Sequence, residues 1–186
     1  MASTNPADTF SRLFGDHERA VLAYALRRAA RPEDAADIVA ETFLVAWRRL
    51  DKVPPGDAAR LWLYGVARRQ LANQRRGQLR RSQLADRLRQ ELAQLDPTHA
   101  QPPDDRVQAL IAALARLSDQ DREILRLEAW EGLTPAEIAT VTGMRPVTVR
   151  SRLHRARKRL RAEVLRHDHT ALDVSVQTFA VNEAAE

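Results

Sequence analysis

The amino-acid sequence predicts an all-α protein of two small helical domains joined by a flexible linker. Three observations carry this. Apolar residues recur at three- and four-residue steps through most segments. There are few β-branched runs and no hairpin signals. A stretch rich in Pro and Asp, residues 96–105, interrupts the helical pattern and reads as a linker.

Each element has a local cause. Residues 10–30 carry Phe10, Leu13, Phe14, Val21, Leu22, Tyr24, Ala25 and Leu26 as an apolar stripe, with a possible break at Gly15-Asp16. Pro32 stops that helix after Arg31 and opens the next, whose first turn holds Glu33 and Asp34, as the macrodipole favours. Ala36, Val39, Ala40, Phe43, Trp47 and Leu50 are its expected buried stripe. Asp37 and Glu41 share another face, with Arg48 further on. Spacing alone leaves two readings of those acids, a solvated surface or a dock for a basic partner. Residues 53–57 form a loop punctuated by Pro and Gly.

Residues 58–81 form a helix with seven arginines and no acid. Trp62, Leu63, Val66, Ala67 and Leu71 are its expected buried face, and Tyr64, Arg68, Arg69, Asn73 and Arg76 its exposed one. Arginines beside aromatic rings suit single-stranded nucleic acid, where phosphates meet cations and bases stack on rings. Trp62 has two readings, core packing or base stacking. A polar amphipathic helix continues over residues 82–95, and a short helix over 106–117 carries Val107, Leu110, Ile111, Leu114 and Leu117.

The most informative stretch is residues 118–161. Ser118 with Asp121 forms a capping-box pattern, and Ile124, Leu125, Leu127 and Trp130 give one apolar face. Gly132 can close that helix in the left-handed conformation. Thr134, Pro135 and Glu137 open a short helix, Gly143 turns the chain, and Pro146 opens a third. Small Ala139 and apolar Val149 allow close packing across the turn. This is the helix-turn-helix pattern. From Arg145 to Arg166 there are nine Arg or Lys and one acid, Glu163, a charge footprint for DNA. Arg150, Ser151, His154 and Arg155 are expected to contact bases and phosphates, and Arg145 and Arg152 phosphates.

Composition narrows the remaining classes. The absence of cysteine excludes disulfides and thiolate metal sites. No signal-peptide pattern or bilayer-length apolar run occurs, so a soluble cytoplasmic protein without membrane insertion is expected. Net charge is +5, and Lys52 and Lys158 are the only lysines. No phosphate-binding glycine loop, nucleophile elbow or cofactor motif occurs, and no enzyme, cofactor or metal is expected. His167-Asp168-His169 lacks further ligands nearby. In residues 168–186 Leu172, Val174 and Val176 alternate with polar residues, a weak strand signal in a tail.

This order of elements resembles the extracytoplasmic-function (group IV) sigma factors of bacterial RNA polymerase, in the sigma-70 family. The resemblance covers roughly residues 10–166. It rests on Asp37-Ile38-Val39-Ala40-Glu41-Thr42-Phe43-Leu44-Val45-Ala46-Trp47-Arg48, on Trp62-Leu63-Tyr64, on Gly132-Leu133-Thr134-Pro135-Ala136-Glu137-Ile138-Ala139, and on Thr148-Val149-Arg150-Ser151-Arg152-Leu153. It implies a region 2 domain at 8–95, a linker at 96–105, a region 4 domain at 106–167 and a tail at 168–186. Asp37, Glu41 and Arg48 would then dock on the β′ clamp helices of core RNA polymerase, with further contacts to its β subunit. Trp62, Tyr64, Arg68, Arg69, Asn73, Arg75 and Arg76 would melt the −10 element and capture a flipped base, with the 53–57 loop near that pocket. Arg145, Thr148, Arg150, Ser151, Arg152, His154 and Arg155 would read the −35 element of promoter DNA. The linker would thread toward the polymerase active site. The family often has Asn where this chain has Arg69, and Gly where it has Val147, which implies altered base preference. Sigma regions 1.1 and 3 have no counterpart, and inhibition by a separate anti-sigma factor is inferred. A duplex-binding regulator and a helical protein–protein adaptor are the two alternatives.

Overall fold

The computed structural model describes residues 5–89, 110 and 112–183, and among these the side chains of 5–76, 110, 112–164 and 166. They fall into two compact units, each taken here by itself. No strand occurs among the described residues. The expected linker, 96–105, lies outside them.

In the first unit, three helices pack mutually: α1 (Pro6–Leu26), α2 (Pro32–Arg48) and α3 (Asp57–Arg89). Asn5 caps α1, its Oδ1 accepting from the Ala7 amide at 3.1 Å. Helix α1 runs through Gly15 unbroken, because one exposed glycine costs only about 1 kcal/mol against Ala. At the start of α2, Arg31 forms a two-point pair with buried Asp34, at 3.1 and 3.3 Å. The hydrogen bonds it donates to Asp34 hold the Arg31 guanidinium above its ordinary pKa. A 3-10 turn, Leu50–Lys52, leads to the 53–57 loop.

The roll of α2 differs from the expected one. Its buried residues are Asp34, Ala35, Ile38, Thr42, Phe43 and Ala46. Of the predicted stripe only Phe43 is buried. Val39 and Leu50 are intermediate, and Ala36, Ala40 and Trp47 face outward. The rings of α1 explain the choice. Phe14 meets Phe43 at 4.7 Å, and Phe10 meets Trp47 edge-on at 5.2 Å, so α1 covers one side of α2 and leaves the indole 46% exposed.

Helix α3 buries Ala59, Leu63, Tyr64, Val66, Ala67 and Leu71. Tyr64 was expected on the surface, but it stacks on Tyr24 of α1 at 4.9 Å. Buried Arg28 lies over the Tyr24 ring, with its guanidinium carbon 3.7 Å from the centroid. Its Nη1 donates to the Tyr24 carbonyl at 3.1 Å. Arg75 of α3 donates to the Arg28 carbonyl at 3.3 Å, tying α3 to the end of α1.

The second unit contains a helical turn at 112–115, α4 (Asp119–Ala129), the first part of α5 (Pro135–Thr142) and α6 (Pro146–Glu183). Arg122 donates to the carbonyls of Leu114, Ala115 and Leu117 at 2.9–3.1 Å, which satisfies the open end of the preceding turn. Ser118 Oγ accepts from the Asp121 amide at 3.1 Å. The Thr134–Glu137 capping box is complete, with the Thr134 amide donating to Glu137 at 2.8 Å and the Glu137 amide to Thr134 Oγ1 at 3.4 Å. Gly132 and Gly143 take φ of 66° and 72°. Ile124, Leu127, Ile138, Val149, Leu153 and Ala156 are buried. Trp130 departs from its expected place on the core face of α4. It lies half-exposed beyond the end of that helix, under Arg126 at 5.5 Å. Where Leu172, Val174 and Val176 gave a weak strand signal, the chain is helical, since α6 continues to Glu183.

Candidate nucleic-acid interface

The first half of α6 is divided lengthwise. Val149, Leu153 and Ala156 face the core. Val147, Arg150, Ser151, His154, Arg155 and Lys158 are exposed, and their spacing of three, four, seven, eight and eleven residues puts them on one face. Val147 is 61% exposed despite being apolar.

Four of the nine cations among residues 145–166 are held in ion pairs. Arg152 and Arg159 both bind the carboxylate of buried Asp121 on α4, at 3.1 and 3.3 Å. Arg157 forms a two-point pair with Glu128 at the other end of α4. Arg166 pairs with Glu163, which also holds Arg116 at 2.9 Å. The remaining five cations among residues 145–166 are exposed: Arg145, Arg150, Arg155, Lys158 and Arg161.

The sequence-predicted set therefore divides. Arg150, Ser151, His154 and Arg155 share the outward face, and Arg145 is exposed before the helix start. Thr148 is half-buried, and Arg152 is turned to Asp121 on the flank. Lys158 joins the outward face although it was not singled out, and so does Val147, which was expected only to alter base preference. Helical spacing from Arg150 and His154 was the available signal.

Helix α3 presents a second cationic surface. Trp62, Arg69, Asn73 and Arg76 recur at seven, four and three residues and share a face, with Trp62 half-exposed and the rest exposed. Arg76 donates to Asn73 Oδ1 on that face. Tyr64, Arg68 and Arg75 share a different line, turned toward α1. There Tyr64 is buried, Arg68 is half-buried and Arg75 holds the Arg28 carbonyl. The 53–57 loop and α1 enclose a cavity of about 640 Å³, lined on the α1 side by Arg12, Asp16 and His17.

A third surface lies on α2. Asp37, Glu41, Leu44 and Arg48 recur along one exposed line, with Ala36, Ala40 and Trp47 beside it. Leu44 is 39% exposed. Acids and large apolar groups thus share one surface, which solvent alone does not favour.

Among the described residues no group of three or more His, Asp or Glu side chains is placed to hold a metal ion. No helix searched among them is long and apolar enough to cross a membrane.

A helix-turn-helix with a cationic outer face, in one chain with a second cationic helix, defines a helical protein that binds nucleic acid. Two family models match: Sigma-70 region 2 over residues 13–81 and Sigma-70, region 4 over residues 107–160. The ECF RNA polymerase sigma factor SigL of Mycobacterium tuberculosis is 34% identical over 171 residues, covering 86% of this chain and 91% of that one. The RNA polymerase sigma factor CnrH of Cupriavidus metallidurans is 31% identical over 172 residues, covering 87% and 90%. In structure, the chain is similar to the sigma factor RpoE of Bartonella quintana, solved in complex with the anti-sigma factor NepR. That likeness has a TM-score of 0.62 at 26% identity and covers 84% of this chain and 96% of that one. The chain belongs to the extracytoplasmic-function sigma factors of the sigma-70 family. As such it directs transcription initiation by RNA polymerase.

Proposed function

We propose that three surfaces divide the work of this sigma factor. The α2 line of Asp37, Glu41 and Arg48, extended by Leu44 and Trp47, docks on the β′ clamp helices of core polymerase. The α3 face of Trp62, Arg69, Asn73 and Arg76 engages the −10 element, and the cavity under the 53–57 loop receives a flipped base. Arg68 and Arg75 reach phosphates from the flank, while Tyr64 supports the helix from within. The α6 face of Arg150, Ser151, His154 and Arg155 reads the −35 duplex, with Arg145 and Thr148 at its edge. Residues 8–95 and 106–167 act as the two functional domains on either side of the linker. The chain supplies specificity and no catalytic group, and it works in the cytoplasm, at the nucleoid through polymerase.

The observation that carries this reading is the mixed acidic and apolar surface of α2, with Leu44 39% and Trp47 46% exposed. A regulator that binds duplex DNA by itself has no use for it. A partner that covers apolar groups and pairs carboxylates accounts for both. An anti-sigma factor that competes for this surface fits the same chemistry, and relatives such as the Bartonella quintana protein are solved with one bound. The test is a double variant, Asp37→Lys with Glu41→Lys, assayed for co-purification with core polymerase. Loss of core binding with unchanged thermal unfolding supports the reading. Undiminished core binding refutes it.

A further inference from the structure

We infer that Asp121 and Glu128 of α4 are positioning residues that fix the roll of the recognition helix, and that their arginine partners are held away from DNA. This rests on the reading that the outward face of α6 meets the −35 duplex. The two acids are seven residues apart, so they sit near the two ends of α4 along one side. Asp121 is only 6% exposed and takes Arg152 at 3.1 Å and Arg159 at 3.3 Å. Those two arginines are also seven apart and share one flank of α6. Glu128 takes Arg157, which lies on the other side of α6, in line with Arg150 seven residues before it. The rest of the outward face, Ser151, His154 and Arg155, lies between those two lines.

Rotation of α6 in either sense would therefore stretch one set of links. The Glu128 pair is partly exposed and adds little to stability, so geometry is the better account of that link. Base readout depends on side chains reaching groove edges in register, and a small roll displaces all of them together. Val149, Leu153 and Ala156 are buried on the core side of α6, away from the outward face.

The experiment uses the full chain bound to core polymerase. Duplexes are selected by the wild type from a pool randomised over the −35 window. Binding of the selected duplex is then compared with binding of the unselected pool. Asp121→Asn and Glu128→Gln are each expected to lower the selected-to-pool ratio about tenfold, the discrimination carried by one base contact. Pool affinity is expected to stay the same or rise, because released guanidiniums can meet phosphates. A purely structural role would lower both affinities together and leave the ratio unchanged, which would overturn the inference. A rise in selected-duplex affinity would also overturn it, by showing that Arg152, Arg157 or Arg159 reads bases once freed. Glu128→Gln keeps the test valid if Asp121→Asn does not fold, since Glu128 lies near the surface. Arg150→Ala is the reference. If it lowers the ratio and the two acid variants do not, roll fixing alone fails. If Arg150→Ala has no effect, the reading of α6 fails and the inference with it.

Discussion

Arg155 and Arg157 are two residues apart on one helix and carry the same charge, yet their surroundings differ. Arg155 is exposed on the outward face of α6, whereas Arg157 is paired with Glu128. Each cation that meets a phosphate steepens the salt dependence of duplex binding by about 0.9 in the log–log slope. Arg155→Ala should therefore flatten the slope by about 0.9. Between 50 and 200 mM salt, the affinity gap to wild type should shrink by roughly 3.5-fold. Arg157→Ala should leave the slope unchanged and cost about 0–1 kcal/mol of stability, because its pair is partly solvated. The assay is fluorescence anisotropy of a labelled −35 duplex with the polymerase-bound chain over a salt series. Equal flattening in both variants would show that the Glu128 pair opens on DNA. No flattening in Arg155→Ala would show that this face does not meet phosphates.

Further outcomes follow from the packing and the caps. Trp62→Ala should weaken promoter opening by about 1–3 kcal/mol, the value of one base stack, with little loss of stability, read by permanganate reactivity of −10 thymines. Tyr64→Ala should instead destabilise the fold by about 3–5 kcal/mol, as for other large buried aromatics, seen in chemical denaturation. Thr134→Ala removes both hydroxyl bonds of the capping box and should cost about 1 kcal/mol, measured by thermal unfolding.

Much of the second unit was legible because its signals are local. A cap, a glycine at positive φ and a proline at a helix start each act within a few residues. Ser118, Gly132, Thr134, Gly143 and Pro146 accordingly stand where their chemistry places them. The roll of α2 was not legible. Apolar residues occur all round that helix, and the side that is buried depends on rings brought from α1, about thirty residues away in sequence. The misassigned residues are informative, because Trp47 fell on the surface proposed to dock on polymerase. Tyr64 misled for another reason. A tyrosine near arginines suits a base stack or a buried ring stack equally, and only Tyr24 decides between them. The pairs of Arg152, Arg157 and Arg159 join residues 31, 29 and 38 apart, beyond the reach of any local pattern.

The central claim is promoter-specific initiation, and run-off transcription tests it most directly. Purified core polymerase, with and without the full chain, is given a pool of promoter fragments. Transcripts should appear only with the chain and should start downstream of two spaced motifs. One motif should change when Arg150 is replaced, and the other when Trp62 is replaced. Core polymerase that binds the chain yet starts no transcripts above its own background would contradict the account.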